Sequence, residues 1–140
     1  MFRASRGSRG SLVAGALTAA ALALSLPANG SEPAIKPDVE RGKIVYRKCI
    51  HCHTISPNGK HRIGPNLFGI FGRRAGSLAD FDYSEAWKRA DFIWTERTLD
   101  RYLISPRKMI PNNRMPFDGL AIKQDRADLI AYLKEATRKK

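Results

Sequence analysis

Two cysteines and a histidine form the most chemically distinctive cluster of this 140-residue sequence. Cys49 and Cys52 are separated by two residues, and His53 follows the second cysteine directly. Residues three apart project from the same side of a helical turn, so both thiols can reach one edge of a flat ligand. A C-x-x-C-H run is the motif of covalent c-type haem attachment. We therefore expect Cys49 and Cys52 to form thioethers with one haem and His53 to coordinate its iron.

Two other kinds of site would use the same pair, which are the only cysteines in the chain. A redox dithiol or disulfide normally sits on a βαβ framework, and the sequence shows no such alternation. A zinc site would combine the cysteines with two of the histidines His51, His53 and His61. It lacks a second paired ligand set, and a cysteine next to a histidine makes tetrahedral chelation awkward. We expect His51 and His61 to be surface residues.

The N-terminal segment has the composition of an export signal. The first ten residues carry three arginines and no acid, and an Ala- and Leu-rich run follows over residues 12–26. A transmembrane helix usually needs about 20 apolar residues, so this run is short for one. Ala28 and Gly30 suit the −3 and −1 positions of a signal-peptidase site. We predict that residues 1–30 are a signal peptide directing export to the periplasm, with an uncleaved membrane anchor as the alternative.

The charge of the chain indicates an acidic partner. The formal net charge is +12, and cleavage after Gly30 would remove three arginines and leave +9. Such a surplus favours fast, salt-sensitive association with negatively charged surfaces. The basic residues are scattered rather than clustered, so we expect no nucleic-acid partner. Residues 31–37 contain two prolines and predict a flexible leader, which precedes one domain over residues 38–140.

The first predicted helix begins after Asp38, which can cap it, and ends near Lys48. A glycine in mid-helix, Gly42, costs about 1 kcal/mol relative to alanine. We expect such a residue only where another backbone must come close. The apolar side of this helix is predicted to contain Val39, Ile44, Val45 and Tyr46.

The remaining pattern is also helical, with one long exception. Residues 54–82 are rich in Gly and Pro and have no sustained period, which is unusual in a compact domain unless the segment wraps a large apolar ligand. Helices are predicted over residues 83–89, 95–104 and 123–136. The outward residues of the last helix are predicted to be Arg126, Asp128 and Lys134. The fold class is therefore all-α, with one domain and one haem.

A second axial ligand must come from elsewhere in the chain. After the initiator, the only methionines are Met109 and Met115. A thioether opposite the histidine would give His/Met ligation, which raises the reduction potential. The general alternative for a methionine is core packing, which we expect for Met109. Pro111 and Pro116 stiffen the segment that carries Met115.

Several ordered motifs follow the haem-attachment run. They are Gly64-Pro65-Asn66-Leu67, Phe71-Gly72-Arg73, Phe81-Asp82-Tyr83-Ser84, Ile93-Trp94, Tyr102-Leu103-Ile104-Ser105-Pro106, Pro111-x-x-x-Met115-Pro116-Phe117 and Asp128-Leu129-Ile130-Ala131-Tyr132-Leu133-Lys134. With these motifs, residues 38–137 resemble the small soluble class I cytochromes c, which include mitochondrial cytochrome c and bacterial relatives. The resemblance implies the cytochrome c fold, in which the first and last helices cross and loops wrap one covalently bound haem.

The resemblance also implies roles for individual residues. Met115 matches the distal iron ligand, and Tyr102 matches a tyrosine beside its sulfur. The carbonyl of Pro65 would accept the Nδ1–H of His53. Gly42 matches the glycine at which the first and last helices cross. The residues that would donate hydrogen bonds to a buried haem propionate are Arg73, Tyr83 and Trp94.

Two features depart from the family pattern. The ligand loop commonly has Gly-Thr after its proline, whereas this chain has Asn112 and Asn113. Asparagine tolerates a positive φ, and Asn113 is expected to donate a hydrogen bond to the haem group. Trp87 stands where mitochondrial members commonly have an asparagine, which puts their buried distal water network in doubt here.

These observations predict a monomeric, periplasmic one-electron carrier and not an enzyme. The resemblance implies a quinol–cytochrome c reductase as donor and a terminal oxidase as acceptor, or a dehydrogenase or photosynthetic reaction centre in place of either. The membrane would be a partner only if the N-terminal segment stays uncleaved. A haem enzyme or gas sensor, such as a small peroxidase with a labile distal ligand, is the alternative. The basic residues predicted to surround the haem edge are Lys48, Lys60, Arg107, Lys108 and Arg114.

Overall fold

A computed structural model describes residues 34–139, so the predicted signal peptide and the start of the leader lie outside the described residues. The only extended pairing within this part of the chain is an isolated antiparallel bridge between Arg74 and Ile93. None of the described helices is both long and apolar enough to cross a membrane. The all-α prediction is confirmed. The helices are α1 (Val39–Tyr46), α2 (Glu85–Lys88), α3 (Glu96–Ile104), α4 (Pro106–Met109) and α5 (Lys123–Ala136).

Helix α1 leads directly into the haem-attachment turn. Asp38 caps the helix, because its extended backbone places the side chain to accept from the Arg41 N–H at 2.9 Å. The helix ends at Tyr46, slightly before the predicted end. Turns then continue the winding, with Cys49 N donating to the Tyr46 carbonyl at 2.8 Å and His53 N to the Cys49 carbonyl at 2.9 Å. The two cysteines therefore follow α1 on helical turns.

Helices α1 and α5 cross in backbone contact. A Cβ placed on Gly42 would lie 2.0 Å from the Asp128 carbonyl oxygen and 2.7 Å from Tyr132 Cβ. Only glycine fits there, which explains a mid-helix residue that costs helix stability. Tyr46, one turn further on, is buried, whereas Ile44 is 59% exposed. The inward position predicted for Ile44 was wrong, because residues two apart on a helix point in nearly opposite directions.

Two charged residues of α5 are buried, contrary to the outward positions predicted for them. Arg126 is 6% exposed and Asp128 is 1% exposed. Arg126 donates to Asp100 Oδ1 at 2.7 Å and to the Leu120 carbonyl at 2.8 Å, so its charge is paired inside the fold. Lys134, the third residue of the set, is exposed as predicted.

The Asp128 carboxylate joins α5 to the start of α1. It accepts from Asp38 N at 2.7 Å, Arg41 Nε at 2.8 Å and Gln124 Nε2 at 2.8 Å. Burial alone would raise the pKa of Asp128, but the hydrogen bonds from Arg41, Asp38 and Gln124 outweigh it and lower this pKa below its ordinary value. The carboxylate is therefore ionised and holds two helices that are distant in sequence.

Helix α3 also contributes to the hydrophobic core. Thr95 caps it through a reciprocal pair of hydrogen bonds with Thr98. Its buried residues, Leu99, Tyr102 and Leu103, belong to the same core cluster as Leu129 and its neighbours on α5. Helix α2 is shorter than the predicted span of residues 83–89. Residues 54–82 contain no helix, as predicted.

Candidate haem site

The two cysteines occupy one turn that lies partly against the core. Cys52 N donates to the Cys49 carbonyl at 3.0 Å, and both side chains are half-buried with free thiols. Burial and the neighbouring Cys52 raise the pKa of Cys49 to about 11. Both cysteines thus lie half-buried on one helical turn, which is the arrangement that covalent attachment along one edge of a haem requires.

The His53 ring is held by the backbone at Gly64 and Pro65. Its Nδ1 lies 2.7 Å from the Pro65 carbonyl oxygen, which accepts the Nδ1–H and leaves Nε2 for a metal. The side chain is buried, and burial lowers the pKa of His53, so the imidazole is neutral. A Cβ on Gly64 would lie 2.3 Å from the ring carbon Cε1, so only glycine lets the chain pass this close.

Met115 lies on the segment that follows α4, and its sulfur accepts a hydrogen bond from α3. The Tyr102 hydroxyl donates to Met115 Sδ at 3.0 Å. Burial raises the pKa of Tyr102, so this hydroxyl stays protonated and remains a donor. The structure therefore brings together Tyr102 and Met115, as the sequence resemblance implied. Met109 packs against the core, as expected.

Arg73, Tyr83 and Trp94 form a third group of predicted site residues. Trp94 N donates to the Arg73 carbonyl at 2.9 Å, and the Arg73 guanidinium donates to the carbonyls of Phe68 and Asn66, each at 3.1 Å. Burial lowers the pKa of Arg73, while the nearby Tyr83 acts in the opposite direction. A half-buried cation beside a buried tyrosine suits a carboxylate that is removed from water.

Sequence reasoning missed Ser84, although it ended the motif in which Tyr83 was noticed. The Ser84 hydroxyl oxygen is buried and has no hydrogen-bond partner in the described part of the chain. It occupies the cap position before α2 without bonding to the helix. A buried, unpaired hydroxyl is destabilising by about 1–3 kcal/mol. Because this orphaned donor adjoins Tyr83, the residues present fit the carboxylate of a haem propionate.

Asn113 bonds to the protein through both ends of its amide. Its Nδ2 donates to the carbonyls of Ile110 at 2.7 Å and Pro106 at 3.1 Å. Its Oδ1 accepts from Met115 N at 2.9 Å. The hydrogen bond expected from Asn113 to the haem group stays a prediction.

Trp87 lies in a cluster of aromatic rings. Its ring centroid is 5.3 Å from that of Tyr102, 5.9 Å from Trp94 and 6.5 Å from Tyr83. The Tyr102 contact is edge-on, which is a favourable geometry for two aromatic rings. A large apolar ring thus packs against the tyrosine that donates to Met115.

The remaining histidines differ in their surroundings, and His61 borders the Arg73 group through Asn66. His51 is exposed, as predicted. His61 is only 21% exposed, because its ring accepts from Asn66 N at 2.9 Å through Nδ1 and lies 3.0 Å from Asp80 through Nε2. Over residues 34–139, no group of three or more histidine, cysteine or acidic side chains could hold a metal ion. The zinc alternative therefore has no ligand set in this part of the chain.

Fold and site together define a small helical protein with a c-type haem, and comparison with known proteins identifies the family. The cytochrome c family model matches residues 39–137. Cytochrome c of Chlamydomonas reinhardtii is 50% identical over 101 residues, which cover 71% of this chain and 90% of that protein. For cytochrome c of Sesamum indicum the identity is 48% over 101 residues, with coverage of 71% and 91%. For that of Theileria annulata it is 50% over 97 residues, with coverage of 69% and 84%.

The chain belongs to the cytochrome c family. It is accordingly an electron carrier and not an enzyme. It carries one covalently attached haem c, for which Cys49 and Cys52 form the attachment motif. The class I cytochrome c resemblance and the fold that it implied are confirmed.

Proposed function

We propose that this chain is a periplasmic one-electron carrier in which His53 and Met115 are the two axial ligands of the haem iron. When bound, the haem supplies an iron that alternates between the ferric and ferrous states. The observation that carries the proposal is the hydrogen bond of 3.0 Å from the Tyr102 hydroxyl to the Met115 sulfur. Because a buried hydroxyl donates to the Met115 sulfur, the sulfur is held in one position, as an iron ligand must be.

On the proximal side, the chain fixes one tautomer of His53. Because the Pro65 carbonyl accepts the Nδ1–H at 2.7 Å, the lone pair of Nε2 is the free ligand atom. Gly64 keeps the backbone close enough to the ring to prevent rotation. Burial keeps the imidazole neutral, and a neutral ring is the form that ligates metals.

On the distal side, the thioether of Met115 is a neutral ligand whose electron density the Tyr102 hydroxyl withdraws. A weaker electron donor favours the ferrous state, so this hydrogen bond supports a high reduction potential. With both axial positions filled, a change of oxidation state requires little rearrangement of the protein. That property suits electron transfer and excludes an open site for substrates.

The third group of residues would hold a haem propionate. Of the residues proposed from the sequence, Trp94 donates through its backbone N to the Arg73 carbonyl, and Tyr83 lies near Arg73. Ser84, which the structure adds, follows Tyr83 in the chain. A carboxylate removed from water needs several donors to stay ionised. The orphaned Ser84 hydroxyl and the half-buried Arg73 cation supply them.

Docking would rely on the basic surface. The five residues proposed for the docking ring, Lys48, Lys60, Arg107, Lys108 and Arg114, are all exposed. Arg114 also donates to the Asp82 carbonyl at 2.6 Å and to its carboxylate at 3.1 Å, so its charge is partly compensated. Partners with acidic surfaces would associate with a monomer briefly and in a salt-dependent manner. We propose a quinol–cytochrome c reductase as donor and a terminal oxidase as acceptor, with a dehydrogenase or reaction centre able to replace either.

The periplasmic location rests on the composition of residues 1–30, and N-terminal sequencing of the purified protein tests it. A mature chain beginning at Ser31 in the soluble periplasmic fraction is the expected result. Recovery of Met1 on protein from washed membranes would instead establish an uncleaved anchor.

Replacing Met115 tests the ligand assignment, and Met109 provides a matched control. Met115→Ala should retain covalent haem, admit external ligands such as imidazole, and lower the reduction potential. Met109→Leu should keep the parental potential and absorption spectrum, because Met109 only packs against the core. If Met115→Ala keeps the parental potential and spectrum, Met115 is not the ligand.

A haem enzyme or gas sensor would need an open or labile distal position. The hydrogen bond on the Met115 sulfur favours a closed one. Exposure of the untreated ferrous protein to carbon monoxide at neutral pH distinguishes the two. We expect no binding, and rapid binding would show a labile distal site.

A further inference from the structure

The loop that carries Met115 contains two prolines and few backbone hydrogen bonds. Residues 110–117 form no helix or strand, and two of them, Pro111 and Pro116, have no N–H to donate. Few backbone hydrogen bonds remain within the loop: Asn113 N to the Ile110 carbonyl at 3.2 Å and Phe117 N to the Met115 carbonyl at 2.9 Å. The prolines stiffen the chain, and few backbone hydrogen bonds fix the rest of the loop.

The side chain of Asn113 adds three hydrogen bonds to those of the backbone. Its amide donates to the Ile110 carbonyl at 2.7 Å and the Pro106 carbonyl at 3.1 Å, so it ties the loop to the start of α4. Its oxygen accepts from Met115 N at 2.9 Å. One planar group thus bonds to the residues before the loop, to the turn within it and to the methionine itself.

We propose that Asn113 is the positioning residue of the Met115 thioether, and that it makes no contact with the haem carboxylate. The inference rests on the proposed function, because it takes Met115 as the distal ligand. Three hydrogen bonds from one half-buried side chain restrict the Met115 backbone without any contact to its sulfur. Tyr102 then acts on the sulfur, and Asn113 acts on the backbone that presents it.

The conformation of Asn112 supports a separate role for Asn113. Asn112 has a φ of 64°, in the left-handed region that reverses the chain direction just before Asn113. It is exposed, whereas Asn113 is half-buried. The two adjacent asparagines therefore do different things: the first adopts the turn conformation, and the second bonds the turn to its surroundings.

Imidazole affinity of the ferric haem protein measures how firmly the thioether is held, since imidazole competes for the same position. We expect Asn113→Ala to bind imidazole about tenfold more tightly or better, the factor that corresponds to losing one to two net hydrogen bonds. Asn113→Asp keeps the oxygen that accepts from Met115 N but replaces the donor with an acceptor that faces two carbonyls, so it should bind imidazole at least as tightly as the alanine variant. Asn113→Asp also tests the proposal if the alanine variant does not fold.

Asn112→Gly is the matched control, because glycine adopts a positive φ freely and replaces a neighbour in the same loop. It should keep the parental imidazole affinity. The sulfur-to-iron charge-transfer band and the denaturant unfolding midpoint are recorded for every variant. A merely structural role would lower the midpoint and leave the imidazole affinity at the parental value, and that outcome overturns the proposal.

Two further outcomes are distinguishable. If Asn113→Ala keeps the parental imidazole affinity but shifts the pH dependence of the reduction potential, Asn113 contacts the haem carboxylate and the inference is wrong. If the parental protein already binds imidazole as tightly as Met115→Ala, the ligand assignment fails and the inference fails with it. Weak imidazole binding by the parental protein together with tight binding by Asn113→Ala supports both the ligand assignment and the inference.

Discussion

Replacing Asp128 with asparagine tests the carboxylate that joins the first and last helices. Asp128 is 1% exposed and accepts from Asp38 N, Arg41 Nε and Gln124 Nε2 at 2.7 to 2.8 Å. Asparagine has nearly the same shape, but it is neutral and turns one acceptor oxygen into an N–H donor. At least one of the three donors then faces another donor.

The size of the effect follows from this hydrogen-bond count. A hydrogen bond to a charged group contributes about 1.5–3 kcal/mol, and a buried donor left without an acceptor is destabilising as well. We expect Asp128→Asn to lower the free energy of unfolding by about 2–3 kcal/mol at pH 7. For a domain of this size, that corresponds to a fall in Tm of roughly 10 °C or more.

The pH dependence has a definite sign. The folded-state pKa of Asp128 is lowered, so the carboxylate stabilises the fold above its unfolded pKa of about 3.9. This contribution is lost as the pH falls through the lowered folded-state pKa. The difference between parent and Asp128→Asn should therefore be constant from neutral pH to about 5 and shrink in more acidic solution.

Guanidinium unfolding of the haem-loaded protein at pH 7 and at a series of acidic values provides the measurement. Glu85→Gln is the control, because Glu85 is an exposed carboxylate on α2 that pairs with Lys88 at 2.8 Å. Exposed pairs contribute little, so its midpoint should stay near the parental value. An Asp128→Asn variant as stable as the parent at pH 7, or equally destabilised at every pH, would refute the reasoning.

Two further substitutions examine the proposed axial ligands. Gly64→Ala places a Cβ 2.3 Å from the His53 ring. We expect the haem to stay covalently attached while the imidazole ring tilts. An altered absorption spectrum of the ferric protein would support this expectation, and an unchanged spectrum would contradict it. Tyr102→Phe removes the donor on the Met115 sulfur and should lower the reduction potential by a few tens of mV, less than the about 59 mV of a tenfold one-electron shift. Voltammetry provides that value, and a raised potential would mean that the hydroxyl does not withdraw electron density from the sulfur.

The proximal half of the site was predictable because its parts are close in sequence. Cys49, Cys52 and His53 form one run, and the carbonyl that orients the histidine, that of Pro65, lies 12 residues further on. The spacing of the run predicted the haem attachment, and the resemblance to the class I cytochromes c implied the role of Pro65. Helix α5 was predicted with the bounds that the structure has, from the apolar residues of its second half and with no glycine or proline to interrupt it.

The buried charges and orphaned polar groups were not predictable in the same way. Asp128 finds its partners near Asp38, about 90 residues away, and Arg126 pairs with Asp100 on another helix. Helical periodicity assigns charged residues to the solvent side, and only the tertiary structure shows that their charges are paired. Ser84 presents the same difficulty, because a missing hydrogen bond cannot be seen in a sequence.

The two halves of the haem site are positioned by different physical means. His53 is oriented by backbone atoms, namely the Pro65 carbonyl and the chain at Gly64, which most substitutions elsewhere leave in place. Met115 is oriented by side chains, since Tyr102 bonds its sulfur and Asn113 bonds its backbone. Side chains can be exchanged one at a time without moving the helices. With the proposed ligands, the distal half is therefore where side-chain substitutions would adjust the reduction potential, and Asn112, Asn113 and Trp87, the departures from the family pattern, lie in that half.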